Sequence, residues 1–423
     1  STKHKLRVYA VQPFQTAGLR KCGATLVAAA PSTETEVLDA MAAMSADAPE
    51  SVDQARHALR EPGAVILVGE RLATVPGALS AVDRLAQASG AKVAWVPRRA
   101  GDRGAVEAGC LPNLLPGGRG VDSASGRAEI ERAWGLVQGT LPPDPGRDAA
   151  EILVAAGDGR LSGLIVGGVD PADLADPAAA EAALDAVDFL ISLEVRNTAV
   201  ARRADVVFPV APPVEKAGSF LNWEGRVRSF ATVLETGALS DSRVLDELAE
   251  ELETGIGVAD PRKVRGEFNV LAETNAPRAE PPTEYGVEPP RPEAGQALLA
   301  TWHHLLDLGS LQDGERHLAG TARKAVARLS AATAAEIGAA DGGHVAVSTG
   351  TGSITLPLVV TEMPDRVVWL PTNSEGSTVR RGLGVAAGAL VGIARAEAPA
   401  PATPKPDFPM PAGFAGGAAE GGV

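Results

Sequence analysis

Cysteine is almost missing from this chain: its 423 residues include two, Cys22 and Cys110, far apart and neither in a CxxC pair. Two thiols cannot supply the four thiolates of an iron–sulfur cluster or of a cysteine-rich zinc site, so no such centre is expected within these residues. The six histidines bring no HExxH spacing. His303 and His304 are adjacent and, in a strand, would point to opposite faces. The expected metal set is therefore none. A Walker A sequence, a GxSxG elbow and an EF-hand ligand series are also missing. No apolar run approaches the roughly 18 to 20 residues of a membrane-spanning helix. The first residues hold too little apolar sequence for a signal peptide. We therefore expect a soluble chain without direct membrane insertion and without a disulfide. Finally there is no basic stripe. The net charge is −14 with the acidic residues scattered, which repels phosphate backbones and excludes nucleic acid as a natural partner.

What is present is an alternation of strand-like and helix-like stretches from Leu6 to about Val210. Leu6–Ala10 reads as a short strand. Thr33 and Glu36 fit a capping box, with Val37, Met41 and Met44 on one helical face after it. Ala64–Val68 reads as a buried strand, followed by a helix carrying Val75, Leu79, Val82 and Leu85 that ends near Gly90. Lys92–Val96 is the next strand, so strand, helix and strand form a βαβ unit, which requires a parallel sheet. The pattern recurs with a helix from Asp148 to Ala156, a strand at Leu164–Val166, a helix at Ala182–Val187 and a strand at Phe189–Leu193. A short helix capped near Asn197 or Thr198 precedes a strand at Asp205–Val210. Consecutive apolar residues suit strands covered on both faces. The fold class expected is α/β, an open Rossmann-like parallel layer.

Asp241–Leu252 is an amphipathic helix with Val244, Leu245, Leu248 and Leu252 on one side. From Gly255 to about Ala294 proline and charge dominate, the mark of an extended connector with little capacity for a core. After it, a helix at Ser330–Ile337 and strands at Gly343–Ser348, Gly352–Val360 and Arg366–Leu370 point to a compact β-barrel. Beyond Arg395, Pro-Ala repeats and a glycine-rich end read as a disordered tail. The domains expected are thus 1–240 (α/β), 241–295 (helix and connector), 296–396 (barrel) and 397–423 (tail).

Three stretches invite a ligand. Gly157-Asp158-Gly159 with Gly163 superficially matches a dinucleotide loop, but a helix precedes it and a strand follows, the reverse of the fingerprint, so a helix-ending turn explains it better. Gly168-Val169-Asp170-Pro171 lies at the carboxyl edge of a strand, where it would cap a phosphate or ribose, or simply make a proline-directed turn. Glu215-Lys216-Ala217-Gly218-Ser219-Phe220 and Asn222-Trp223-Glu224-Gly225-Arg226 follow a buried strand with opposite charges and glycines close together. Such a loop holds a ligand or pairs with itself, and the residues alone leave both readings open.

At these residues the sequence resembles a known family. The run Ala204–Arg228, ADVVFPVAPPVEKAGSFLNWEGRVR, resembles the molybdopterin oxidoreductase superfamily, and within it the large iron–sulfur subunits of bacterial respiratory complex I. Val368–Ser374 with Val379-Arg380-Arg381 resembles the same group, and Ser330–Ser348 is similar to the family's dinucleotide-binding barrel of double-psi type. The composition, rich in Ala, Gly and Arg and poor in Lys, points to an actinobacterial version.

The resemblance implies a non-catalytic scaffold segment with no catalytic, cofactor-binding or metal residues. It would support an electron-transfer chain from NADH to quinone whose 2Fe-2S and 4Fe-4S clusters sit in a preceding, cysteine-rich part. It implies as partners the NADH-binding flavin subunit and other peripheral-arm subunits, on the cytoplasmic side of the bacterial plasma membrane. The alternative is the C-terminal half of a molybdenum enzyme such as formate dehydrogenase, with Asn222, Glu224 and Arg226 near a molybdopterin guanine dinucleotide.

Overall fold

The computed structural model describes residues 6–43, 48–272, 278–279 and 288–399. Its first unit runs through β1 (Tyr9–Gln12), α1 (Ala17–Cys22), β2 (Thr25–Ala28), α2 (Glu34–Ala42), α3 (Glu50–Leu59), β3 (Val65–Gly69), α4 (Ala78–Ser89), β4 (Lys92–Val96) and α5 (Asp102–Glu107). β1 pairs in parallel with β2 and β3 with β4, as the βαβ reading requires. Helices α2, α3 and α4 press Leu38, Met41, Val52, Val82 and Leu85 onto Val27, Ile66, Val68 and Trp95. α4 ends where Gly90 turns left-handed at φ 76°, the expected stop.

Several expectations for this unit fail: α4 starts at Ala78, so Val75 precedes it, and Leu79 on it is 50% exposed rather than on the core face. The Thr33 and Glu36 capping box is not made: Thr33 Oγ1 donates backwards to the Ala30 carbonyl at 2.8 Å and caps nothing. Strand β3 is covered on one face only, with Val65 50% and Leu67 65% exposed on the other. Consecutive apolar residues therefore overstated its burial.

Next come a small antiparallel pair, β5 (Leu114–Leu115) and β6 (Arg119–Gly120), and then α6 (Ala124–Ala133). The second unit holds α7 (Ala149–Gly157), β7 (Leu164–Gly167), α8 (Pro177–Ala186), β8 (Leu190–Glu194), β9 (Val206–Pro209), the hairpin β10 (Gly218–Leu221) and β11 (Val227–Phe230), and α9 (Asp241–Glu251). Here the capping box is real. Asp148 accepts from the Glu151 amide at 2.8 Å while Glu151 accepts from the Asp148 amide at 2.9 Å. β7, β8 and β9 form a parallel sheet with β8 in the middle. One face of β8 packs Leu190 against Leu184 and Val200, and the other packs Leu193 against Val210, Val244 and Leu248. The last two belong to α9, which therefore contributes to the core of this unit. The helix expected near Asn197 is a turn, with Thr198 Oγ1 accepting from the Ala201 amide at 3.2 Å.

The stretch expected to be purely extended contains a 12-residue helix, α10 (Pro261–Ala272). It is anchored through its C-terminal half. Leu271 is buried, and Glu267 accepts from the Trp134 indole at 2.8 Å. Proline at the first helical position starts it without loss of a hydrogen bond. Residues 288–292 are irregular. Other parts of the proline-rich stretch, and the tail from 400 onward, lie outside the described residues.

The barrel consists of β12 (Gln296–Trp302), α11 (Arg316–Ala319), β13 (Ala327–Leu329), α12 (Ala331–Glu336), β14 (His344–Ser348), β15 (Ser353–Val360), β16 (Val367–Pro371), the small pair β17 (Asn373–Ser374) and β18 (Ser377–Thr378), α13 (Val379–Leu383) and β19 (Leu390–Ala396). Six strands close in the order β12-β16-β13-β15-β14-β19. Inside lie Leu299, Leu329, Val345, Leu358 and Leu370, all essentially inaccessible. Strands β12 and β16 are buried on their outer side too, where Leu298, Val367 and Trp369 pack against Phe14 and Ala30 of the first unit. That double burial explains their unbroken apolar runs.

Candidate functional site

Three positions in the structure are candidates for a site, the first and third holding invited residues and the second, a junction, holding none. At the carboxyl edge of the second sheet, β7 ends in Gly167 and the chain turns through Gly168 at φ 62°. Asp170 Oδ1 then accepts from the Ala172 amide at 2.9 Å, so Gly168–Pro171 makes the proline-directed turn. Beside it, β8 ends in Glu194, which the sequence reading passed over. Its carboxyl is buried, and its Oε1 has no hydrogen-bond partner among the described residues. Desolvation raises its pKa; a hydrogen bond to Thr198 and the Arg196 charge oppose the rise, while Asp170 adds to it. Ser192 Oγ, two residues earlier on the same face, is likewise buried and unpartnered among the described residues. The signal in the sequence was an acidic residue closing an apolar strand, since ionisable groups are seldom buried without a reason.

The Gly157-Asp158-Gly159 stretch ends α7. The Asp158 amide donates to the Val154 carbonyl, and Gly159 adopts φ 70°. It is a helix terminus, as expected from its order in the chain.

The second position is the junction between the barrel and the second unit. A cavity of about 50 Å³ opens there, lined by Asp173, His303, Thr372, Asn373, Arg380 and Arg381 among others. Each cation at its rim is engaged with protein groups. Arg381 pairs with Glu181 on α8 at 3.2 Å, and Arg380 reaches the Leu174 carbonyl at 3.4 Å. His303 Nδ1 lies 2.8 Å from Asp307. Its neighbour His304 turns away to Ser374 at 3.2 Å and to the Trp369 ring, as two adjacent residues leaving a strand should. Desolvation, helped by the nearby Arg323 and Arg328, lowers the His304 pKa and favours its neutral form. Arg196 completes the tie, donating to the Ser310 carbonyl and to Asp313, both at 3.2 Å.

A comparable joint binds the barrel to the first unit. Phe14 meets Trp369 edge-on at 5.8 Å, with the Arg328 guanidinium 5.4 Å from the one ring and 5.8 Å from the other. Arg71 lies 5.1 Å over Trp302, and burial lowers its pKa while the charge of Glu34 counters that.

The third position holds Asn222, Glu224 and Arg226. They form the tip of the β10–β11 hairpin, which pairs with itself. Asn222 Oδ1 accepts from the amides of Arg226 at 2.8 Å and Glu224 at 3.1 Å, and Gly225 supplies the left-handed residue at φ 82°. Glu224 and Arg226 face each other at 3.7 Å in solvent. The hairpin packs toward α5 and α10, and none of the three residues lines the barrel cavity. Of the preceding segment, Lys216 is ion-paired with Asp241 at the start of α9.

Comparison with known proteins locates this architecture. A family model described as molybdopterin oxidoreductase matches residues 13–251, and one described as molydopterin dinucleotide binding domain matches residues 298–405. The G subunit of the NADH-quinone oxidoreductase of Mycobacterium bovis is 53% identical over 92% of this chain and 48% of its own length. Its counterpart in Streptomyces coelicolor is 50% identical over 95% of this chain and 48% of its own length. The chain thus spans about half the length of these curated relatives. The F420-dependent formate dehydrogenase 2 subunit alpha of Methanococcus maripaludis is 35% identical, over 36% of the chain.

A pterin dinucleotide does not fit the junction as these residues form it. The cavity of about 50 Å³ holds a few waters, whereas pockets for cofactor-sized ligands measure roughly 300–1,000 Å³. At its rim Arg381 faces Glu181 and Arg380 faces the Leu174 carbonyl, not an open pocket. Among the described residues no group of three or more His, Cys, Asp or Glu could hold a metal ion, and both cysteines are exposed with no disulfide between them.

Proposed function

Because this chain belongs to the molybdopterin oxidoreductase family, we propose that it is the scaffold part of a respiratory complex I polypeptide of the same kind as these relatives, carrying no redox centre of its own. The observation that carries this reading is the small, tied junction. The place where a dinucleotide-binding barrel meets its α/β neighbour is closed by Arg380 and Arg381 reaching onto the second unit and by Arg196 reaching back to the barrel side. In this reading the α/β residues 1–240 together with α9 form a platform, and the barrel of 296–396 is seated on it. Electrons pass from NADH to quinone through 2Fe-2S and 4Fe-4S clusters in another part of the polypeptide. The platform holds that part in place and docks on the NADH-binding flavin subunit and its peripheral-arm neighbours. The assembled complex lies on the cytoplasmic side of the plasma membrane. No helix among the described residues is long and apolar enough to cross a membrane, so attachment would come through other subunits.

The test is elemental analysis and pterin extraction of the purified polypeptide at its relatives' length. Iron and labile sulfide without molybdenum are expected. Stoichiometric molybdenum with extractable pterin guanine dinucleotide would sink the reading. It would establish the second one, a molybdenum enzyme of the formate dehydrogenase kind, which the partial identity to a formate dehydrogenase subunit favours.

A further inference from the structure

The first unit has a bare sheet face. In β3 the side chains alternate: Ile66 and Val68 point into the helices α2, α3 and α4, while Val65 and Leu67 point away from them. The parallel register places Lys92, Ala94 and Val96 of β4 beside Val65, Leu67 and Gly69 on that same outer side. Val65 is 50%, Leu67 65% and Val96 37% exposed. Parallel sheets are found almost only with both faces covered, because crossover helices lie on each side. Two paired strands alone are also marginal in water. Among the described residues nothing supplies the second layer. The second sheet shows what cover looks like here, since β8 has α8 on one face and α9 on the other.

The relatives are about twice as long as the segment they match, so polypeptide of the right length exists in the group to provide that layer. We infer that the face of Val65, Leu67, Ala94 and Val96 is covered by the apolar side of a helical layer from the portion of the same polypeptide that lies outside this segment. This rests on the scaffold reading above and gives it a specific contact: the platform meets the remaining half through the back of its first sheet. Lys92, exposed at one end of the strip, marks its polar rim.

The experiment uses the polypeptide at its relatives' full length, with Cys22 and Cys110 replaced by serine and a cysteine introduced by Leu67→Cys or, as a control, Leu79→Cys. Labelling is read by mass spectrometry on the peptide that contains each position, because the cluster-bearing part has cysteines of its own. Leu79 is 50% exposed on α4 and lies off the sheet face. Maleimide labelling of Leu67→Cys should be about tenfold slower than that of Leu79→Cys, the protection that roughly 1.4 kcal/mol of packing gives. Equal rates overturn the inference. Should the cysteine variant not fold, a photo-crosslinking residue at position 67 serves instead. Crosslinks to residues of the same polypeptide beyond this segment are expected; crosslinks to another subunit or to a second copy overturn it. Those last outcomes leave the scaffold reading standing, whereas molybdenum and pterin in the purified protein would remove that reading without altering the labelling.

Discussion

The Arg119 guanidinium, buried beside β6, donates at 2.7 Å to the backbone carbonyl of Leu271, 152 residues further along the chain. It also holds the Pro116 carbonyl and pairs with Glu129 at 2.8 Å, so one side chain fastens α10 to the first half of the molecule. A buried cation that loses none of its partners is tolerated, whereas deleting it strands them. Arg119→Ala should therefore cost about 3 kcal/mol and loosen 261–272 before the remainder. Hydrogen exchange reads this directly. Unchanged protection of that helix in the variant would refute the fastening role.

The two barrel joints should differ sharply in strength. Trp369 is buried against Phe14, so Trp369→Ala is expected to cost about 3–5 kcal/mol through lost apolar area and the cavity left behind. The Arg381 and Glu181 pair is largely solvated, and Arg381→Ala should cost less than about 1 kcal/mol. Denaturant unfolding of both variants ranks them; an inverted order would mean that charge, not packing, holds the barrel.

Glu194 provides a pH dependence of known sign. Burial raises its carboxyl pKa in the folded chain above the unfolded value, so folding favours the protonated form. The stability due to that form is fully present below the unfolded pKa, near the ordinary 4.5, and is lost as pH rises through the folded pKa. Glu194→Gln should remove that loss, raising the unfolding midpoint at neutral pH while leaving it nearly unchanged in mild acid. A variant that is destabilised at neutral pH would show that the carboxylate has a partner it depends on.

In the hairpin, Asn222 and Glu224 should be separable. Asn222→Ala removes an acceptor from two backbone amides and is expected to cost about 1 kcal/mol, whereas Glu224→Gln, altering a solvated pair, should cost under about 0.5 kcal/mol. Under the scaffold reading proposed above, Asn222→Ala lowers accumulation of the assembled complex without changing the cluster signals of what does assemble. Full assembly with lost turnover would instead give the hairpin a chemical role.

The alternation of elements was legible because local signals agreed there. Gly90 sits where α4 stops, the strands around Val68 and Leu193 pair in parallel, and the barrel strands at Val345 and Val368 fall where turns had framed them. What was not legible depended on distant partners. Thr33 and Glu36 have capping-box spacing, but the Thr33 hydroxyl had a nearer carbonyl to serve. Leu67 and Leu193 sit in equally apolar runs, yet one lies in solvent and the other under a helix from far along the chain. α10 was masked by surrounding prolines, and its tie at the Leu271 carbonyl comes from Arg119, far away in the chain. Of the site, the hairpin residues could be singled out by charge and glycine, while the junction cavity joins residues of 172–173 to those of 303 and 372–381 and has no local signature.

The barrel's closure has a consequence for synthesis. β12 is hydrogen-bonded to β16 on one side and to β19 on the other. As the chain leaves the ribosome, β12 emerges first and has neither neighbour. At about 5–20 residues per second it waits several seconds for them, an interval in which Leu298, Leu299 and Ala300 are an aggregation hazard. The first unit, synthesised earlier, carries part of a remedy, because Phe14 and Ala30 form part of the surface that the outer side of β12 and β16 will finally occupy. Only the outer side of β12 can be sheltered in this way; Leu299, which faces the barrel interior, stays uncovered until Ala396 arrives and the ring can shut.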